Sequence, residues 1–334
     1  MKQIDFFAES RRLEKLMKLD DTLARLHASV DWSIFRHTLS VAFAKEAKGA
    51  GGRPPYDYIM MFKILVLQRM YNLSDDVTEY QINDRISFQR FLGLSLSDTV
   101  PDAKTIWLFR DNLVKADIIE TLFELFHHHL ESKGLITHSG SIVDASFVKV
   151  PIRRDGKGEK ETIQSGEIPE DWSEKTVRQK DLDARWTKKN NQSHFGYKNH
   201  IKADADSKLI VDYATTPANV HDSQKYSELV DETDEVIYGD SAYIGQTVPD
   251  GIVQQVCERG TRGKALSAEQ KAQNREKSKT RSRVEHVFGH IKTSMGGSFC
   301  RWIGKQRVEF FIGLTNLVYN MSRHEYLCRL ENTG

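Results

Sequence analysis

From about residue 10 to 132, apolar residues recur every three or four positions with little β-branched alternation, which predicts a run of packed helices. Residues 56–70 are apolar almost all round and follow Arg53-Pro54-Pro55, so they predict a buried central helix. Ser74 and Asp102 stand where N-caps of the next helices belong. A last helix is predicted over about 114–133, stopped by Gly134. The pattern changes at Ser141: residues 141–150 are short, β-rich and carry Asp144 among apolar neighbours. Strand-like segments return at 194–203, 209–215, 235–239 and 251–257, and helical periodicity at 279–292 and 305–327. Residues 153–191 are polar with little periodicity and read as an insertion or mobile loop. The chain therefore divides into a helical N-terminal domain, 1–134, and a mixed α/β domain, 135–330.

Composition narrows the class. At 39% hydrophobic and 28% charged, the chain is that of a globular protein, not a disordered tail or a fibre. Its longest apolar run, 58–67, contains Lys63 and falls short of the ~20 residues of a membrane span. With no signal-peptide pattern at its start, the chain is expected in the cytoplasm. Cys257, Cys300 and Cys328 form no C-x-x-C pair and read as free thiols. The net charge of +1 hides an asymmetry: between Glu258 and Arg307 thirteen Lys and Arg face four Glu, so positive field concentrates there. In the run His127-His128-His129, adjacent helical residues point ~100° apart, so the three cannot converge on one ion. A solvated helix face is expected for them.

Two aspartates occupy positions that are costly for a charge. Asp144 follows Ile142-Val143, and Asp240 ends Val236-Ile237-Tyr238-Gly239. A carboxylate among apolar residues needs a cation or donors to offset its desolvation, and two brought together repel. A divalent metal resolves both, and magnesium in particular favours a few hard oxygens while keeping sites open for phosphate. On a helix through 279–292, Arg281, Glu285 and Lys292 fall within ~60° of one another, offering a third carboxylate flanked by two phosphate-binding cations.

These residues belong to a wider pattern. Gly52-Arg53-Pro54-Pro55-Tyr56-Asp57, Gln68-Arg69-Met70-Tyr71-Asn72-Leu73-Ser74-Asp75 and Arg90-Phe91-Leu92-Gly93-Leu94 in the first half join Phe195-Gly196-Tyr197-Lys198-Asn199-His200, Ala218-Asn219-Val220-His221-Asp222-Ser223 and Asp240-Ser241-Ala242-Tyr243 in the second. Together they resemble bacterial insertion-sequence transposases of the DDE type, the insertion-sequence-five group. The resemblance implies an RNase H-like fold, a mixed sheet with helices on both faces, in which Asp144, Asp240 and Glu285 are the catalytic triad. It further implies two Mg2+ ions, replaceable by Mn2+. Water would cleave DNA at the terminal inverted repeats, and the freed 3′-hydroxyl would then attack target DNA. Arg281, Lys292, Arg283, Lys279, Lys198 and Tyr243 are the expected DNA contacts. A dimer or larger assembly on nucleoid DNA, with the helical domain binding DNA ends or dimerising, completes the expectation. Ser278 stands where the family signature around the third carboxylate has tyrosine. A nuclease that never joins strands, or an inactive DNA-binding regulator, are the rival readings.

Overall fold

In a computed structural model describing residues 11, 14–15, 18–44, 54–152, 154–189, 191–260 and 265–331, the first half of the chain is helical. Its helices are α1 (Thr22–Ser29), α2 (Arg36–Ala42), α3 (Tyr58–Met70), α4 (Asp75–Asp84), α5 (Ile86–Leu92), α6 (Ala103–Ala116) and α7 (Ile119–Ser132). The apolar surround of α3 buries it from Ile59 through Arg69, Met60 excepted. Ser74 Oγ accepts the Val77 amide at 3.3 Å, and Asp102 Oδ1 that of Thr105 at 2.7 Å, so both predicted caps form. The single helix foreseen over 114–133 is instead two. Asp117 takes a left-handed backbone, φ 50°, which ends α6 before α7 starts; Gly134, φ 68°, ends α7 as expected.

The second half holds β1 (Ser141–Lys149), β2 (Arg185–Lys189), β3 (Gln192–Asp204), β4 (Ile210–Pro217), β5 (Val236–Gly239) and β6 (Val253–Val256). β1 pairs antiparallel with β3 on one side and parallel with β5 on the other, and β6 lies parallel beyond β5. One edge of β3 is shared, Gln192 to Gly196 pairing with β2 and Tyr197 to Ala203 with β4. The order β4-β3-β1-β5-β6, three antiparallel strands and then two parallel to the first, is that of an RNase H-like sheet.

Both faces are covered. On one, α12 (Arg283–Thr293) and α13 (Lys305–Glu331) meet Ile142, Ile201, Ala203 and Val211. On the other, α10 (Tyr226–Leu229) and the turn at Tyr243 cover Val143, Ala214 and Ile237. Residues 153–191 are not the loop foreseen. They contain α8 (Lys157–Gln164), α9 (Glu174–Arg178) and β2. Trp172 Nε1 donates to Glu159 at 2.7 Å, and the Tyr197 hydroxyl donates to Asp181 at 2.7 Å, anchoring the segment to the sheet.

The boundary near residue 134 is a change of secondary structure and not of packing. One hydrophobic core runs from Leu26, Phe35 and Phe62 through α13 to Ile142 and Ile201. α13 also supplies polar pins. Asn320 accepts the Ile210 amide at 2.8 Å and donates to the Ile210 carbonyl at 2.7 Å, acting as a strand neighbour to the edge of β4. Asn320→Ala leaves both buried backbone groups unpaired and is expected to cost about 2–4 kcal/mol, read as a lowered urea midpoint at unchanged slope.

Candidate active site

Strand register brings the two aspartates together. The parallel pairs Ser141↔Ile237 and Ile142↔Tyr238, carried on by two residues, set Asp144 beside Asp240 just past the end of β5. Each gives one oxygen to the backbone: Asp144 Oδ1 accepts the Ala145 amide at 2.7 Å, and Asp240 Oδ1 the Ala242 amide at 2.8 Å. Burial pushes the Asp144 carboxyl up to about 6, against the pull of the Ala145 amide; the charge of Asp240 adds to the rise, while Arg281 and Lys189 oppose it.

Glu285 arrives from the other direction, on the first turn of α12. The helix foreseen over 279–292 is broken: α11 (Ala268–Arg281) ends at Arg281, and α12 begins after Ser282. Val284, Val287, Phe288 and Ile291 bury the inner stripe of α12, as its periodicity predicts. Arg281 still meets Glu285 across the break. Its guanidinium stands between carboxylates, Nη1 3.4 Å from Asp144 Oδ2 and Nη2 3.8 Å from Glu285 Oε1. With that cation between them, the three acids do not close to within 4.8 Å of one another, and the Glu285 side chain remains 67% exposed.

The donor set fits a hard divalent cation. A carboxylate whose ionised form is disfavoured by burial and by a second carboxylate is one that such a cation would relieve, and Arg281 shows that a positive group is already drawn to the position. Lys292 is half-buried on α12, where burial lowers its ammonium and the charge of Asp144 works the other way. Lys189 was not foreseen, because its strand β2 lies in the segment read as a loop. Its charge acts on both Asp144 and Lys292.

The expected DNA contacts divide. Arg281 and Lys292 border the acids, and Lys279 is exposed on α11, 2.7 Å from Glu276. Arg283 turns away, donating to the Ala205 carbonyl and to Asp206, both at 2.8 Å. Two expectations are corrected. Lys198 is buried, with its ammonium bound to the Val220 carbonyl at 2.6 Å and to Asp222 at 2.8 Å, so it fixes a loop and is not presented to solvent. Tyr243 is only 1% exposed and stacks on Tyr226, which makes it the floor beneath Asp240. Burial raises its hydroxyl further from ionisation, with the charges of Asp144, Asp222 and Asp240 adding to the effect.

That floor leaves no room at Gly239, where an added Cβ would lie 2.9 Å from the Tyr243 ring. Gly239→Ala must therefore displace either the ring or the strand end that carries Asp240. We expect a loss of DNA cleavage of ~10²-fold with Tm lowered by only a few degrees, measured on the same preparation.

The N-terminal motif residues serve the same architecture from below. Arg69 donates to Asn72 at 3.1 Å and to the Met295 carbonyl, and its guanidinium lies 4.4 Å from the Phe311 ring centroid. Arg110 clamps Asp75 and lies 4.5 Å from the Trp302 ring. Residues 295–302 follow the helix that carries Glu285, so the two halves of the chain brace one another at this joint.

An RNase H-like sheet with Asp144 within its central strand β1, Asp240 just past the end of the neighbouring β5 and a helix-borne Glu285 across Arg281 is the arrangement expected of a phosphoryl-transfer enzyme acting on nucleic acid. The chain belongs to the family described as Transposase DDE domain, which matches residues 136–321, and a second description, Transposase domain (DUF772), matches residues 11–112. The pair is typical of transposases of the insertion-sequence-five type, and the protein is a DNA transposase. A solved piggyBac transposase synaptic complex with hairpin DNA is similar at TM-score 0.45 and 11% identity, over 95% of this chain and 77% of that one. Enzymes of the DDE class generally use divalent metal. No helix among the described residues is long and apolar enough to cross a membrane.

Proposed function

We propose that Asp144, Asp240 and Glu285 are the catalytic carboxylates, holding two Mg2+ ions, or Mn2+ in their place, for cleavage at the ends of the element and strand transfer into target DNA. The observation that carries this is the half-buried Asp144 beside Asp240, bridged to Glu285 by one guanidinium. Bound metal would supply activation of the attacking oxygen and neutralisation of charge at phosphorus. The two aspartates, each oriented by a backbone amide, form the rigid side of the site. Glu285 is the adjustable side, its carboxylate exposed and free to swing once Arg281 lets go. Arg281, Lys292 and Lys189 form a cationic rim, and in this reading Arg281 exchanges its carboxylates for a DNA phosphate.

Two ends must be cut in concert, so the active species is a dimer or larger assembly on DNA, with the helical domain 1–134 gripping the terminal repeat. The test uses a labelled element end with Mg2+ or Mn2+. Cleaved ends that are joined to plasmid support transposition. Cleavage without joining supports a nuclease, and the absence of both with any divalent ion overturns the reading.

A further inference from the structure

His127 does not lie on the solvated helix face expected for this run, whereas His128 does. His127 is only 14% exposed, and both side chains turn to Glu131 one helical turn further along α7. His127 Nε2 is 3.4 Å from Glu131 Oε1, and His128 Nδ1 is 3.1 Å from Glu131 Oε2. These ligand atoms all lie within 4.8 Å of one another, the only such group of three among the described residues. His129 departs from the other two, facing Phe126 and His324. A further imidazole comes from the segment leading into β1: His138 Nε2 is 3.0 Å from Glu131 Oε1.

We propose that His127, His128, Glu131 and His138 form a binding site for a transition-metal ion of the zinc class, separate from the catalytic carboxylates. Three imidazoles and one carboxylate are the donors of Zn2+, Co2+ or Ni2+, whereas Mg2+ takes oxygen. Spacing agrees as well. Four ligands around zinc at ~2.0–2.1 Å stand ~3.3 Å apart, and His127 and His138 stand 3.4 and 3.0 Å from one Glu131 oxygen, with His128 3.1 Å from the other.

Protons add a second argument. The Thr233 hydroxyl donates to Asp231, so at its 3.3 Å contact with His138 Nδ1 it acts as acceptor, and Nδ1 carries the proton. In a neutral imidazole this leaves Nε2 with a lone pair aimed at a carboxylate oxygen, an arrangement that needs a cation or a second proton between them. His138 is not one of the three that lie mutually within 4.8 Å, and its contact with Glu131 is what would bring it to the ion as fourth ligand. The site would tie the end of α7 to the strand that carries Asp144.

The test is Co2+ titration of the untagged, chelator-treated full chain, followed by visible absorption and by Tm. We expect one equivalent to bind with a tetrahedral spectrum and to raise Tm. His128, 73% exposed, can be replaced without disturbing the core. His128→Ala should weaken this equivalent by at least ~10-fold with an unchanged circular-dichroism spectrum, while Asp240→Asn retains it. Equal binding in wild type and His128→Ala, loss in Asp240→Asn, or no tetrahedral spectrum in the wild type each overturns the proposal.

Discussion

Asp144→Asn, Asp240→Asn and Glu285→Gln are each expected to reduce end cleavage and strand transfer by at least ~10³-fold, the order lost when a group that stabilises the transition state is removed. A merely structural role for these acids would instead show as lost stability, and for Asp144 the opposite is expected. Its carboxyl is held at about 6, above the ordinary 3.8, so the native chain retains a proton that the unfolded chain gives up. Below about pH 4 both states are protonated and the residue contributes nothing. Between about pH 4 and 6 the unfolded chain ionises while the native site holds its proton, so the cost builds across that window and is complete above it. In metal-free buffer Asp144→Asn therefore raises Tm above pH 6, by an increment worth up to about 3 kcal/mol, and the gain vanishes near pH 4. Divalent metal reverses the ranking by stabilising the wild type alone. Normal cleavage by Asp144→Asn, or a lower Tm at neutral pH, contradicts the assignment.

Lys202→Met is expected to be the most destabilising single change outside the apolar core. The Lys202 side chain is fully buried on β3 and binds Asp231 and, at 3.1 Å, the fully buried Asp234. Asp234 also accepts the Ser141 hydroxyl at 2.7 Å, so one network joins β3, the start of β1 and the approach to β5. Removing the ammonium leaves the Asp234 charge buried without its partner, a loss of about 3–5 kcal/mol by urea denaturation. Adding Asp234→Asn should restore part of it, since the stranded charge goes with it. An additive double mutant would show that the two groups are not coupled. Because this network sets the relative position of the strands bearing Asp144 and Asp240, activity should fall in the double mutant even where stability recovers.

The elements legible in the sequence were those fixed by local chemistry. Five strands and the buried helix α3 announce themselves through apolar runs, and Ser74 and Asp102 through their capping chemistry. The break at Asp117 was hidden because a left-handed aspartate leaves the three- and four-residue apolar spacing on either side intact. Helices α8 and α9 were hidden because their support is distant, in contacts such as Trp172 to Glu159 and Asp181 to Tyr197. At the site, Asp144 and Asp240 stood out as charges in costly places. Their adjacency depends on strand register, which no local pattern encodes. Tyr243 and Lys198 were misread for a related reason. Both sit in motifs beside the acids, and proximity in sequence to a reacting group says nothing about which side of the sheet a side chain occupies.

The position of α13 bears on how the enzyme comes into being. This helix lies between the N-terminal helices and the sheet, touching α3, α7 and β4, yet the ribosome makes it after every element it packs against. Until it emerges, one face of the sheet and the inner sides of the first helices have no common wall. A product cut short within this helix would leave that shared core open, and we expect it to be degraded more readily than the full chain.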